Sequence, residues 1–103
     1  MEKKYKIQYL PIFYKDLDTI TNYISNKLNN TIAANNLLDV IEKEIYKRQS
    51  SPENYQKYIP KRERKNIYYK IRVKHYTIFY TIENNTMIVR RILYSRRKFE
   101  NLI

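Results

Sequence analysis

Apolar and polar positions along the chain fall into a readable order. Tyr5, Ile7 and Tyr9 alternate with Lys4, Lys6 and Gln8, which predicts a short strand with one apolar face, ended by Pro11. Leu17, Ile20, Ile24 and Leu28 then recur at helical spacing, with Tyr23 beside them. Asp16 and Asp18 lie near the start of that segment, where carboxylates favour the helix dipole. Asn29-Asn30-Thr31 interrupts the stripe and offers an N-cap to a second helix, whose apolar positions are Ala34, Leu37, Leu38, Ile41 and Ile45. Two amphipathic helices joined by a short turn predict an antiparallel helical hairpin. From Gln49 to Lys65 the chain turns polar and carries Pro52 and Pro60, a long loop of the sort that often has a function of its own. Three strand-like runs follow: Tyr68–Val73, Tyr76–Ile82 and Thr86–Tyr94. The resulting order, βααβββ, predicts one α+β domain over residues 1–103, with the helical hairpin packed on one face of a small, mostly antiparallel sheet.

Two-residue turns at Lys74-His75 and Asn84-Asn85 would fix the register of the last three strands, and register fixes the faces. One face then collects Tyr69, Ile71, Val73, Tyr76, Ile78, Tyr80, Ile82, Met87, Val89 and Leu93, the expected core under the helices. Arg91 is a misfit on that face, placed to reach an edge. The opposite face collects Tyr68, Lys70, Arg72, Phe79, Arg90, Ile92 and Tyr94, with Lys70, Phe79 and Arg90 in one cross-strand row. Cations interleaved with aromatics on an open sheet suit phosphate contacts and base stacking. They equally fit a solvated back face, where Lys and Arg stems cover apolar surface and cations sit over rings. A β-bulge in either hairpin would exchange the two faces beyond it.

Charge sharpens the picture. The chain carries +11 over 103 residues, yet residues 1–46 hold as many Asp and Glu as Lys, so the excess lies entirely in residues 47–103. Such asymmetry points to an anionic partner. Other features exclude classes. Without Cys there is neither a disulfide framework nor a thiolate metal site, and a single His with scattered carboxylates leaves no metal-ligand spacing, so no metal is expected. Without Gly there is no glycine-rich phosphate loop, and no cofactor is expected. No apolar run approaches the roughly 18 residues of a membrane span, and Met1-Glu2-Lys3-Lys4-Tyr5 leads straight into the first strand rather than into a signal peptide. The expected location is the cytoplasm, away from membranes.

Several stretches resemble the RelE/ParE toxin superfamily. Asp16-Leu17 followed by Ile20 and Tyr23-Ile24 is similar to the family's first helix, and Ala33-Ala34 followed by Ile41 to its second. Pro52 and Tyr55 resemble the "P…Y" after that helix. Tyr69-Lys70-Ile71-Arg72-Val73 followed by Tyr76-Thr77-Ile78-Phe79-Tyr80 resembles its strand pair with a "Y-x-I-x-Y" segment. Met87 to Tyr94 followed by Arg96-Arg97 resembles its last strand and Arg-rich end. The resemblance runs over nearly the whole chain and implies a type II toxin held inactive by a cognate antitoxin. It implies one of two activities: RelE-like cleavage of mRNA in the ribosomal A site, or ParE-like inhibition of DNA gyrase without chemistry.

The candidate chemistry follows from that choice. Cleavage needs a group to deprotonate the 2′-OH, an acid for the leaving oxygen and cations for the phosphorane. His75 sits in a turn and off the basic face, where it reads as a solvated turn residue. Family RNases can use Lys, Arg and Tyr instead, which makes Arg72, Arg90 and Tyr94 the catalytic candidates. Lys70, Phe79, Arg96, Arg97 and Tyr68 are the candidate contacts to target or RNA. Tyr94 replaces the His often found near the end of the family's last strand, and it equally fits an aromatic packed at the sheet edge. Arg97-Lys98 lacks the acidic residue that often follows the Arg in ParE-like chains. The clustering of Arg, Lys and Tyr on one face favours ribosome-dependent mRNA cleavage. Gyrase inhibition is the alternative, and a non-toxic basic nucleic-acid-binding module is a third. The expected partners are an antitoxin with an acidic or amphipathic segment, together with ribosome and mRNA or with DNA gyrase.

Overall fold

A computed structural model describes residues 4–103, and the expectation about the leader, which involves Met1–Lys3, falls partly outside them. The chain begins with strand β1 (Lys6–Tyr9) and helix α1 (Pro11–Asn22), which runs on into a π-helical turn over Tyr23–Lys27. Helix α2 (Thr31–Lys47) and a 3-10 turn (Pro52–Asn54) come next. Strands β2 (Tyr69–Val73), β3 (Tyr76–Glu83) and β4 (Thr86–Tyr94) complete a four-stranded sheet of order β1-β4-β3-β2, parallel between β1 and β4 and antiparallel elsewhere. The α+β fold with two helices on a mixed sheet is the predicted one.

Local chemistry sets the element ends. Pro11 stands at the start of α1, where its fixed φ suits the first helical turn and its missing N–H is no loss. That start places Asp16 and Asp18 beyond the first turn, which contains no acidic residue, so their expected role at the helix dipole does not hold. Asn29 turns the chain at φ 50°, and the Asn30 side chain accepts from the Ala33 N–H at 3.0 Å, the predicted N-cap of α2. Asn84 and Asn85 both take positive φ (48° and 61°), as a type I′ hairpin turn requires. At the other hairpin Lys74 alone does so (53°).

The core lies between the helices and one sheet face. Phe13 of α1 and Leu37, Ile41 and Ile45 of α2 pack on Tyr69, Ile71, Val73, Ile78, Tyr80, Met87, Val89 and Ile92. Each fully buried Leu, Ile or Phe contributes about 1.5–3 kcal/mol, enough for a small domain to hold one such core. The Tyr80 hydroxyl, buried within it, donates to the Pro52 carbonyl at 2.8 Å and ties the long loop down. Residues 56–58 run along the β2 edge, with Tyr58 N–H donating to Tyr68 O and Lys70 N–H to Gln56 O.

Two features depart from the predicted sheet. Pairing across Asn84-Asn85 holds as far as Tyr80 with Val89, and a β-bulge then intervenes, so that Phe79 faces Arg91, Ile78 faces Ile92 and Tyr76 faces Tyr94. Arg90 is the extra residue. Beyond it the faces exchange: Ile92 joins the core, Leu93 turns to the back, and Tyr94 comes over to the helix side. The predicted pairings Phe79–Arg90, Ile78–Arg91 and Thr77–Ile92 are therefore each displaced by one residue. The second departure is at the back of the sheet. Phe99, Leu102 and Ile103 fold over it and form a smaller cluster with Tyr58, Tyr68, Phe79 and Leu93. The continuous buried run Thr77–Thr81 in β3 reflects cover on both faces.

Candidate functional site

The bulge and the C-terminal segment together decide where each candidate residue stands. Phe79 is fully buried and Tyr68 is 9% exposed, so neither offers a ring face to a ligand in this arrangement. The open basic face expected from the sequence is closed. Arg90 remains on the back, its guanidinium 5.6 Å from the centre of the Tyr68 ring, and Lys70 is half-buried. Arg72, also on the back, is exposed and donates from Nε to the Lys74 carbonyl at 2.9 Å. Arg96 and Arg97 are exposed just past β4. Tyr94, 43% exposed, lies edge-on to Tyr76 with centroids 6.1 Å apart, on the opposite sheet face from Arg72 and Arg90. The three residues expected to form a catalytic group are not brought together.

A groove of about 720 Å³ opens where β1 has ended and the second half of β4 is an unpaired edge facing α1. Ile20, Tyr23, Leu28, Tyr76 and Tyr94 line it, with His75 and Arg97 among its polar groups. The π-helical turn, a feature frequent at functional sites, begins at Tyr23 and leaves that ring half exposed in the groove. Burial raises the Tyr76 hydroxyl above its ordinary value, with Tyr94 and Tyr23 adding to the effect, so it stays a neutral hydrogen-bonding group in this wall. His75 thus borders the groove, a placement that its position in a turn did not reveal.

Asp16 closes the floor of this edge. Its carboxylate accepts from Arg91 Nε at 2.7 Å and Nη2 at 2.9 Å and from the Ile92 N–H at 3.2 Å, which would otherwise point from the sheet edge without a strand partner. Arg91 donates in addition from Nη1 to Leu102 O at 2.6 Å. The hydrogen bonds to Asp16 hold the guanidinium pKa above its ordinary value. Arg91 thus reaches the edge, as its misfit in the sequence implied, and links α1, β4 and the C-terminal segment.

On the back, Glu100 gathers donors from the long loop. Tyr58 Oη donates to it at 3.1 Å, Arg64 Nη2 at 2.8 Å, and the Lys61 N–H completes the set. Arg64 also donates to Ile103 O at 2.6 Å and to Glu100 O, and Arg62 reaches Asn101 Oδ1 at 3.0 Å. The Lys61 N–H first, then Arg64, pull the Glu100 carboxyl below the usual range.

Comparison with known proteins bears on this arrangement. The family described as "ParE toxin of type II toxin-antitoxin system, parDE" matches residues 7–99, nearly the whole chain. The chain belongs to the ParE toxin family. Within the wider RelE/ParE superfamily, the fold of this toxin is similar to the RelBE2 toxin–antitoxin complex of Mycobacterium tuberculosis, with TM-score 0.59 and 18% identity over 91% of this chain and 97% of that one. It is also similar to the RelB–RelE antitoxin–toxin complex of Methanococcus jannaschii, with TM-score 0.51 and 21% identity over 93% and 99%. No curated protein matches the sequence. Among the described residues of this ParE-family toxin no cluster of His and carboxylates could hold a metal ion, and no helix is long and apolar enough to cross a membrane.

Proposed function

We propose that this toxin arrests growth by docking on DNA gyrase, without chemistry on a bound substrate. The observation that carries the reading is the bulge at Arg90. It separates Tyr94 from Arg72 and Arg90 by the thickness of the sheet, so the acid–base and cationic groups that phosphodiester cleavage needs within hydrogen-bond reach of one phosphate do not converge. What remains is a set of exposed cations, Arg72, Arg96 and Arg97, suited to contacts with an anionic, nucleic-acid-bearing target. Lys70 and Arg90 contribute to the same field from partly covered positions.

A cognate antitoxin is the natural partner, since both solved relatives above are toxin–antitoxin complexes. The groove beside α1 offers half-exposed Tyr23, Leu28 and Tyr94 with Arg97 and His75 alongside, which suits the apolar side of an amphipathic, acidic segment that orders on binding.

Ribosome-dependent mRNA cleavage is the competing reading, and one preparation of antitoxin-free toxin separates the two. In a gyrase supercoiling assay, activity should fall in proportion to toxin until the two are about equimolar, while a defined mRNA translated by purified ribosomes stays uncut. Cuts that appear only with ribosomes and map to A-site codons would overturn the proposal.

A further inference from the structure

We propose that the Glu100 carboxylate occupies a phosphate site for single-stranded nucleic acid, and that residues 99–103 are a strap which covers this site until it swings away. The inference stands whichever target the toxin arrests.

Three observations carry it. First, the donors around Glu100 form an anion cradle: a phenol hydroxyl, a backbone N–H and a guanidinium, drawn from Tyr58, Lys61 and Arg64, all converge on one carboxylate. Arg64 Nε is buried in the same clasp with no partner among the described residues, so the cradle holds more donors than a carboxylate satisfies. A phosphodiester, with its own negative charge and additional acceptor oxygens, matches that surplus. The rim beside it is a polar groove of about 410 Å³ bordered by Arg62 and Lys65.

Second, an aromatic platform lies directly under the strap. The Phe99 ring meets Phe79 at 4.7 Å and Tyr58 at 6.1 Å, both edge to face. Next to them Tyr68 carries Arg64 and Arg90 at 5.8 and 5.6 Å from its ring centre. Aromatic rings flanked by cations are how proteins hold unpaired bases together with their backbone. Phe99 stands where a base would sit and Glu100 where its phosphate would lie. Duplex nucleic acid does not fit, because its bases are already stacked.

Third, the strap is fastened by side chains, through the ion pair of Glu100 with Arg64 and the packing of Phe99, Leu102 and Ile103, and not by sheet pairing, so it can part from the sheet without breaking a strand. It adds no strand to the sheet, and its internal hydrogen bonds are the turn bonds from the Leu102 and Ile103 N–H groups to Phe99 O. Arg64 and Arg91 pin it at backbone carbonyls. Lifting it exposes Phe79, Tyr68 and Leu93 while the helix-side core stays packed.

The test is fluorescence anisotropy with the full-length toxin and labelled oligo(U), oligo(dT) and duplex DNA. Phe99→Ala loosens the strap at unchanged net charge, and Glu100→Gln removes the carboxylate's charge. Each should tighten single-strand binding about tenfold, corresponding to one base–aromatic stack or one displaced charged contact. Glu83→Gln, at the exposed far end of the sheet, makes the same charge change and should leave affinity within about twofold, as expected of one distant screened charge. Equal gains on both single strands identify backbone and stacking as the shared chemistry, and a gain confined to one assigns the site to RNA or to DNA. The proposal is overturned if neither variant tightens binding, if duplex DNA gains as much as the single strands, or if Glu83→Gln gains as much as Glu100→Gln. Thermal melts of each variant verify the fold, and if Phe99→Ala does not fold, Glu100→Gln, nearly isosteric, decides alone.

Discussion

Replacing Asp16 by Ala should be among the most damaging single changes outside the apolar core. Asp16 and Arg91 keep only 13% and 16% of their side-chain surfaces exposed, and the carboxylate accepts three hydrogen bonds, two of them from the guanidinium. Removing one partner of a fully buried pair costs about 3–5 kcal/mol, because the other is left charged and unpaired. Residual solvent contact lowers that here, and a loss of about 2–3 kcal/mol is expected once water reaches Arg91. For a domain of this size that corresponds to a fall in Tm of about 10–20 °C. The assay is urea denaturation of wild type, Asp16→Ala, Arg91→Ala and the double variant. The double variant should lose less than the sum of the singles by about 1–2 kcal/mol, since either change alone already breaks the pair. Additive losses, or a loss below about 0.5 kcal/mol for Asp16→Ala, the range of ordinary surface changes, would refute the view that this ion pair joins helix, bulge and tail.

Three further predictions concern hydroxyl and carboxyl groups. Burial pushes Tyr9 up to about 12 and raises Tyr80 further, so in a spectrophotometric alkaline titration these two should ionise after the tyrosines whose hydroxyls are raised less, such as Tyr58, Tyr69 and Tyr76. A raised folded-state value means the stabilisation is complete below pH 10 and is lost as pH rises toward 12, so alkaline unfolding should accompany their ionisation. Tyr80→Phe leaves the Pro52 carbonyl without its 2.8 Å donor and should cost about 1–2 kcal/mol by chemical denaturation, with faster proteolysis in residues 49–65. Glu100 shows the opposite sign. Its lowered value means that the stabilisation it supplies is present above the ordinary carboxylate range and fades as pH falls through the folded value. The Tm gap between wild type and Glu100→Gln should therefore shrink on acidification, and a gap that widens would contradict the cradle.

Much of the fold was legible because its signals are local. Helical stripes, the Asn30 cap and the Asn84-Asn85 turn each need a few neighbouring residues, and register followed from the turn as far as Val89. The site was less legible because two non-local features reshaped it. Arg90-Arg91 marks the bulge, yet no Gly or Pro accompanies it, and a pair of arginines reads equally well as strand; the spacing of Val89 to Ile92 was the available clue. Once the bulge is missed, Tyr94 stays on the same face as Arg90. The tail was likewise readable in principle, since Phe99, Leu102 and Ile103 recur at helical-turn spacing and need cover, but which surface they seek depends on tertiary placement. Asp16 looked like a helix-dipole residue because its partner lies 75 positions away.

Supercoiling by DNA gyrase should be lost when the free toxin reaches about equimolar amounts, the Tyr94→Phe toxin should inhibit as strongly as wild type, and mRNA on translating ribosomes should stay intact. Unimpaired supercoiling together with ribosome-dependent cuts at A-site codons, abolished by Arg72→Ala, Arg90→Ala or Tyr94→Phe, would contradict docking on gyrase.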